Sequence, residues 1–230
     1  MCVEVSVRYR ILYQPSHALL EVQLDPSEAV VAEADSMVSM TSTMRMDTGA
    51  KGGLLGALKR SVGGESMFQN TFTAESGGGT LTLAPTMVGD IAARELRGET
   101  LLVQSGSFLA ATPGIELDTS WGGARTFFSR EGLFVLKATG VGTLFLSSYG
   151  AIHAVTLGPG EGLVMDTGHM VAFDATMGYR VRTIGGLKQT LFSGEGLVVD
   201  LTGPGTIYMQ TRNVGALVNY LAQRLPSKHD

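Results

Sequence analysis

The sequence predicts an all-β body of three pseudo-repeats, closed by one short helix at its C-terminal end. Three observations predict it. Gly-Thr pairs ending at Thr80, Thr143 and Thr206 open the apolar runs Leu81–Leu83, Leu144–Leu146 and Ile207–Met209, 63 residues apart in both steps (80 to 143, 143 to 206). A second block keeps step: Ser27-Glu28, Gly98-Glu99 and Gly160-Glu161 each lead into an apolar run, and eight residues after each Glu stand Ser36, Ser107 and His169. The 31 glycines punctuate short apolar runs instead of forming a tract. That is nearly twice the usual ~7%, as expected where many tight turns need a positive φ without steric cost. Three copies of this length favour one body over a solenoid, whose repeats run to roughly 20–50 residues. We therefore read residues 1–230 as a single domain with repeats at about 16–88, 89–152 and 153–213.

The elements follow from the pattern. Val3–Leu12 alternates loosely and reads as a first strand, broken at Gln14-Pro15-Ser16 because proline cannot donate to a ladder. Ala18–Leu24 is a second strand, ended by Asp25-Pro26-Ser27, and Ala29–Ala34 a third. Ser36–Thr48 places Val38, Met40, Met44 and Met46 on one side of a period-two pattern, which predicts a strand with a Met-lined core face. Met67–Ala74 and Thr80–Ala84 flank Gly77-Gly78-Gly79 as a hairpin. The second copy gives strands at Thr100–Gln104, Ser107–Ala110, Phe127–Ala138 and Thr143–Ser147. The third gives Gly162–Met165, His169–Phe173, Gly178–Thr183, Leu197–Leu201 and Thr206–Gln210. Val214, Leu217, Val218, Leu221 and Leu225 then fall at helical spacing, so residues 214–225 are a C-terminal amphipathic helix stopped by Pro226.

Composition bounds the function. The chain carries 17% charged residues, below the ~25% of ordinary globular chains, so some surface is expected to be hidden in a homo-oligomer. A net charge of −4 without clustered basic residues disfavours nucleic acid as a partner. Cys2 is the single cysteine, which leaves no intrachain disulfide and no cysteine-based zinc site. No run approaches 18 apolar residues, and Glu4, Arg8 and Arg10 interrupt any secretory core. The expected location is cytoplasmic.

Catalytic constellations are missing: there is no Gly-x-Ser-x-Gly elbow, no His-Glu-x-x-His and no Walker spacing. No cofactor and no metal are expected, and the reading is non-enzymatic. The best local candidate is Asp166-Thr167-Gly168-His169, where a carboxylate three residues before an imidazole could bind a metal or work as an acid–base pair. Turn chemistry explains the same residues without a ligand. If the copies surround a pseudo-axis, Glu33, Gln104 and Asp166 form one polar set and Ser36, Ser107 and His169 another, together a polar rim for a small ligand. The repeated Glu65, Glu131 and Glu195 are expected to accept turn amides. Leu54, Leu55, Leu58, Lys59 and Arg60 could form a short cationic amphipathic segment that touches a membrane or a protein partner. The plainer reading of that segment is a linker.

The strings PSHALLEVQL, GGLLGALKR, LAPTMVGDI, SGSFLAATPGIELD, EGLFVLKATGVGTLFLSSYG and VMDTGHMVAF look like the altered-inheritance-of-mitochondria protein family, over nearly the whole chain. The resemblance implies a fold similar to the tryptophan RNA-binding attenuator protein, a β-sandwich or double-stranded β-helix. It supplies no catalytic residues. RNA binding does not come with the fold. The function expected from all this is a scaffold or binding module, placed at a membrane surface through Gly52–Arg60. The alternatives are a small-ligand or metal-dependent binder or enzyme using Asp166 and His169, and, disfavoured, a nucleic-acid binder.

Overall fold

The computed structural model describes residues 7–48, 69–118, 135–183 and 197–225. Within them the chain is all-β with one short helix, as the pattern predicts. The first repeat holds β1 (Arg8–Leu12), β2 (Leu19–Leu24), β3 (Ala29–Glu33), β4 (Met37–Met40), β5 (Met44–Thr48), β6 (Gln69–Ala74) and β7 (Gly79–Leu83). The second holds β8 (Ile91–Arg97), β9 (Leu101–Gln104), β10 (Phe108–Ala111), β11 (Ile115–Asp118) and β12 (Val135–Ser147). The third holds β13 (Ile152–Leu157), β14 (Gly162–Asp166), β15 (Met170–Asp174), β16 (Gly178–Thr183), β17 (Leu197–Thr202) and β18 (Gly205–Gln210), followed by helix α1 (Val214–Ala222).

Leaving β1 aside, each copy is one unit of six strand positions, the fifth and the last running together as β12 in the second copy; the first position pairs with the last and the second with the fifth. These are β2–β7, β8–β12 and β13–β18, then β3–β6, β9–β12 and β14–β17, all antiparallel. The fourth strand pairs with the fifth and the third with the last. The repeated sequence signals have repeated jobs. Ser27, Gly98 and Gly160 all take positive φ. The glutamate after each accepts a turn amide: Asp25 N–H to Glu28 at 2.8 Å, Arg97 N–H to Glu99 at 2.9 Å and Gly158 N–H to Glu161 at 2.7 Å. In each Gly-Thr pair the threonine N–H donates to a side chain of the third strand or just beyond it: Thr80 to Thr41 Oγ1, Thr143 to Thr112 Oγ1 and Thr206 to an Asp174 carboxylate oxygen, at 3.2, 3.0 and 2.8 Å. The glycine before it leaves room for that approach, since a Cβ on Gly79, Gly142 or Gly205 would overlap Met44, Thr112 or Met177.

The structure corrects three sequence expectations. The predicted Met-lined strand is two strands, β4 and β5, because the chain turns at Thr41–Met44, where the Met44 N–H donates to the Thr41 carbonyl at 3.0 Å. Met44 alone of the four residues is buried; Val38 and Met46 are exposed. Second, the break expected between Ala138 and Thr143 is absent: Gly140 and Gly142 let one strand, β12, run through both positions by taking φ of 115° and 152°. Third, the helix predicted over 214–225 ends at Ala222, and none of its residues is buried. β8, β11 and β13 carry polar or charged residues through their runs, which hides their strand periodicity from the sequence.

Strand β12 centres the core. Phe145 belongs to a cluster with Leu20, Leu81, Phe72 and Leu109, while Leu144 and Leu146, on the other face, join Leu101, Val103 and Val171. Val135 at its start joins Phe173, Val199 and Ile207.

Candidate functional site

The three polar residues five positions after the repeated glutamates end equivalent strands: Glu33 ends β3, Gln104 ends β9 and Asp166 ends β14. All three line one cleft of about 640 Å³, within the ~300–1,000 Å³ range of small-molecule sites. The cleft wall is completed by residues at or just after the end of the last strand of each copy: Pro85–Met87, Ser147–Tyr149, and Gln210 with Asn213. Helix α1 adds Val214, Ala216 and Asn219 at the mouth. Its first turn is fixed there because Asn213 caps it, accepting the Ala216 N–H at 3.1 Å, which satisfies one of the orphan donors of a helix start.

Each strand end is held by a tight turn. Ser36 Oγ donates to the Glu33 carbonyl at 2.6 Å, and Ser107 Oγ to Gln104 Oε1 at 3.2 Å. Asp166 accepts the Gly168 N–H at 2.7 Å and lies 3.4 Å from Asn213 Nδ2. The second predicted set therefore does not form a rim. Ser36 and Ser107 are buried and hold turns. His169 turns away from Asp166, its Nδ1 bonding the Gln210 carbonyl at 2.7 Å. A carbonyl only accepts, so Nδ1 carries the proton. No hydrogen bond or ion pair joins Asp166 and His169, so the candidate acid–base pair is not assembled: a turn amide two residues on holds the carboxylate, and the Gln210 carbonyl, 41 residues away in sequence, holds the imidazole. Among the described residues no group of three His, Cys, Asp or Glu side chains is placed to hold a metal ion. Leu54, Leu55, Leu58, Lys59 and Arg60, with Glu65, Glu131 and Glu195, lie outside the described residues.

Sequence reasoning missed Gln210, which ties the site together. Its amide Nε2 donates to the Gly168 carbonyl at 3.0 Å and its Oε1 accepts the Tyr149 N–H at 2.9 Å. The signal was faint: four residues after each Gly-Thr threonine stand Ala84, Ser147 and Gln210, so the repeat does not mark this position as polar.

The cleft is acidic. Glu33 and Asp166 line it, and among the described residues no Lys, Arg or His does. Burial, and then the nearby Asp35 charge, push the Glu33 carboxyl up to about 7. Opposite Glu33 across the β3–β6 ladder, Gln69 has its Nε2 buried without a partner. The unfolded carboxyl ionises near 4.5 and the folded one near 7, so between these values the folded chain keeps a proton that the unfolded chain has released. Stability accordingly falls as pH rises through that window, with the full penalty present above it.

A model of the family described as mitochondrial biogenesis AIM24 matches residues 9–212. The chain belongs to this family. The match runs from β1 past β18 to the residue before the Asn213 cap, so it includes the three strand ends of the cleft. Among AIM24-type relatives, an uncharacterised protein of Streptococcus pyogenes serotype M6 is 32% identical over 234 residues, covering 98% of this chain and 94% of its own length. A crystal structure of a Streptococcus pyogenes protein superposes with a TM-score of 0.78 at 32% identity, over 95% of this chain and all of the other.

Proposed function

We propose that this AIM24-family chain is a non-enzymatic binding module whose cleft takes a small organic cation, of the primary-amine class. One observation carries the reading: equivalent strand ends from three repeats bring Glu33, Gln104 and Asp166 to one cleft that, among the described residues, no basic side chain lines. Two carboxylates attract an ammonium, and the amides of Gln104, Gln210 and Asn213 supply the neutral acceptors that fix its orientation. The tight turns behind the three residues hold them without any contact that suggests a nucleophile or a paired general base.

The test is calorimetric titration with 1,4-diaminobutane. Binding is expected to tighten between about pH 6 and about pH 8, because ionised Glu33 attracts the ammonium and protonated Glu33 does not. Glu33→Gln removes the pH dependence, and Asp166→Asn weakens binding at both values by about tenfold. Heat that is absent in the parent protein, or unchanged in both variants, would sink the proposal.

A second reading, a scaffold at a membrane or protein surface, is favoured by the face that α1 leaves in water: Val214, Val218 and Leu221 are 40%, 56% and 44% exposed. Co-sedimentation with anionic phosphatidylserine-containing vesicles tests it. Val218→Glu with Leu221→Glu is expected to abolish pelleting; pelleting that persists in this double variant excludes the helix as the contact.

A further inference from the structure

The six-strand units join through one recurring junction. The third strand of one copy pairs antiparallel with the second strand of the copy before it: β10 with β3, through Ala110–Ala32 and Ala111–Val31, and β15 with β9, through Ala172–Val103, Phe173–Leu102 and Asp174–Leu101. Among the described residues the third junction, between β4 and β14, is not made. β4 ends a four-stranded sheet, β1-β2-β7-β4, and β14 ends a three-stranded one, β14-β17-β16.

Three side-chain positions explain why this junction stays open within the chain. Leu109, Ala110 and Phe145 of the second copy enter the core of the first, and Val171, Ala172 and Tyr208 of the third pack into the core of the second. The same positions in the first copy are Val38, Ser39 and Thr82. The two hydroxyls bond each other at 2.7 Å, Val38 is 56% exposed, and none of the three joins the core cluster of the third repeat. An aliphatic-aromatic joint has been replaced by one with a polar pair, which leaves this junction to backbone pairing more than to side-chain burial.

The two open edges nevertheless match. Register equivalence places Met40 where Phe173 stands and Val164 where Leu102 stands, a directly paired couple. The Thr41 N–H goes to the Thr80 carbonyl at 3.0 Å, so by the alternation of an antiparallel ladder the Met40 N–H faces away from β7. The Gly203 N–H goes to the Glu161 carbonyl at 2.9 Å, which by the same count turns the Val164 N–H away from β17. The remaining outer strands are guarded: β1, β5, β8, β11 and β16 each carry Arg, Asp or Glu, and β13 carries His153. β4 has no charged residue, and β14 has only Asp166, which lines the cleft. Unpaired, uncharged edges are templates for pairing with another strand.

We propose that the occupant is a second copy of this chain. β4 of each copy adds to β14 of the other, in the register that β10–β3 and β15–β9 use within the chain. Reciprocal exchange closes both open edges at once and gives a two-fold dimer. The Ser39–Thr82 pair is already satisfied, so covering it leaves no orphaned hydroxyl.

Sedimentation velocity of the full chain up to about 100 µM is expected to show a dimer. Met40→Pro and Val164→Pro each delete one outward N–H at both junctions, and each weakens the dimer by about tenfold or more; circular dichroism checks that both variants fold. In a Cys2→Ser background, differently tagged Thr41→Cys and Leu163→Cys chains are expected to form a mixed disulfide on oxidation. A monomer at every concentration, a dimer indifferent to both prolines, or a disulfide that forms only within a chain carrying both cysteines would overturn the proposal.

Discussion

Replacing Phe145 by alanine is expected to lower the stability of the fold by about 3–5 kcal/mol, the range for removing a buried aromatic ring. Phe145 is fully buried, and its ring meets that of Tyr9 edge-on with centroids 5.0 Å apart. It projects from β12 into the cluster of the first repeat while Leu144 and Leu146 project the other way. The surrounding side chains come from strands fixed on both sides by ladders, which limits collapse into the space left behind. Urea denaturation reads the change as a lower midpoint at an unchanged slope. The equivalent first-repeat position gives an internal comparison: Thr82→Ala lies beside the open β4 edge and is expected to change stability by less than about 1 kcal/mol. Similar losses at both positions would mean that β12 is not the centre of the core.

Gly140→Ala is the second large effect, about 3 kcal/mol or more. Two separate penalties add. The φ of 115° is strained for any residue with a Cβ, at ~1–3 kcal/mol. The new Cβ would also overlap the carbonyl oxygen of Gly114, a backbone atom that cannot swing aside, and overpacking costs another ~1–3 kcal/mol. That carbonyl accepts the Val141 N–H at 3.1 Å, and the Gly140 carbonyl accepts the Gly98 N–H at 3.0 Å. Displacing either strand therefore breaks a backbone bond as well. Gly98→Ala is the discriminating control. It has a similar φ of 106° but nothing near its Cβ position, so it should show the conformational penalty alone. Equal losses at the two glycines would show that the close approach of β12 to Gly114 does not matter.

What the sequence determined by itself was the threefold repeat and the positions of many of its turns. Glu28, Glu99 and Glu161 and the Gly-Thr pairs were legible as repeated positions, because each answers a local backbone need three times over; the turn amides those glutamates accept and the positive φ before them came from the structure. The polar set Glu33, Gln104 and Asp166 was legible for a related reason: repeats that share an architecture place equivalent residues at equivalent strand ends. The tertiary structure decided where chains far apart in sequence meet. Ser36, Ser107 and His169 have the same spacing as the polar set, yet their side chains turn inward or sideways to nearby backbone and side-chain oxygens, a choice that spacing does not encode. Gly140 and Gly142 read as a break, and only the Gly114 carbonyl and the Thr112 hydroxyl packed against them show that they let β12 continue. The open junction at β4 and β14 is decided by Ser39 and Thr82, two hydroxyls that are unremarkable in a β pattern. They matter because burial energy depends on what faces a side chain across the sheet, and that neighbour is supplied by another repeat.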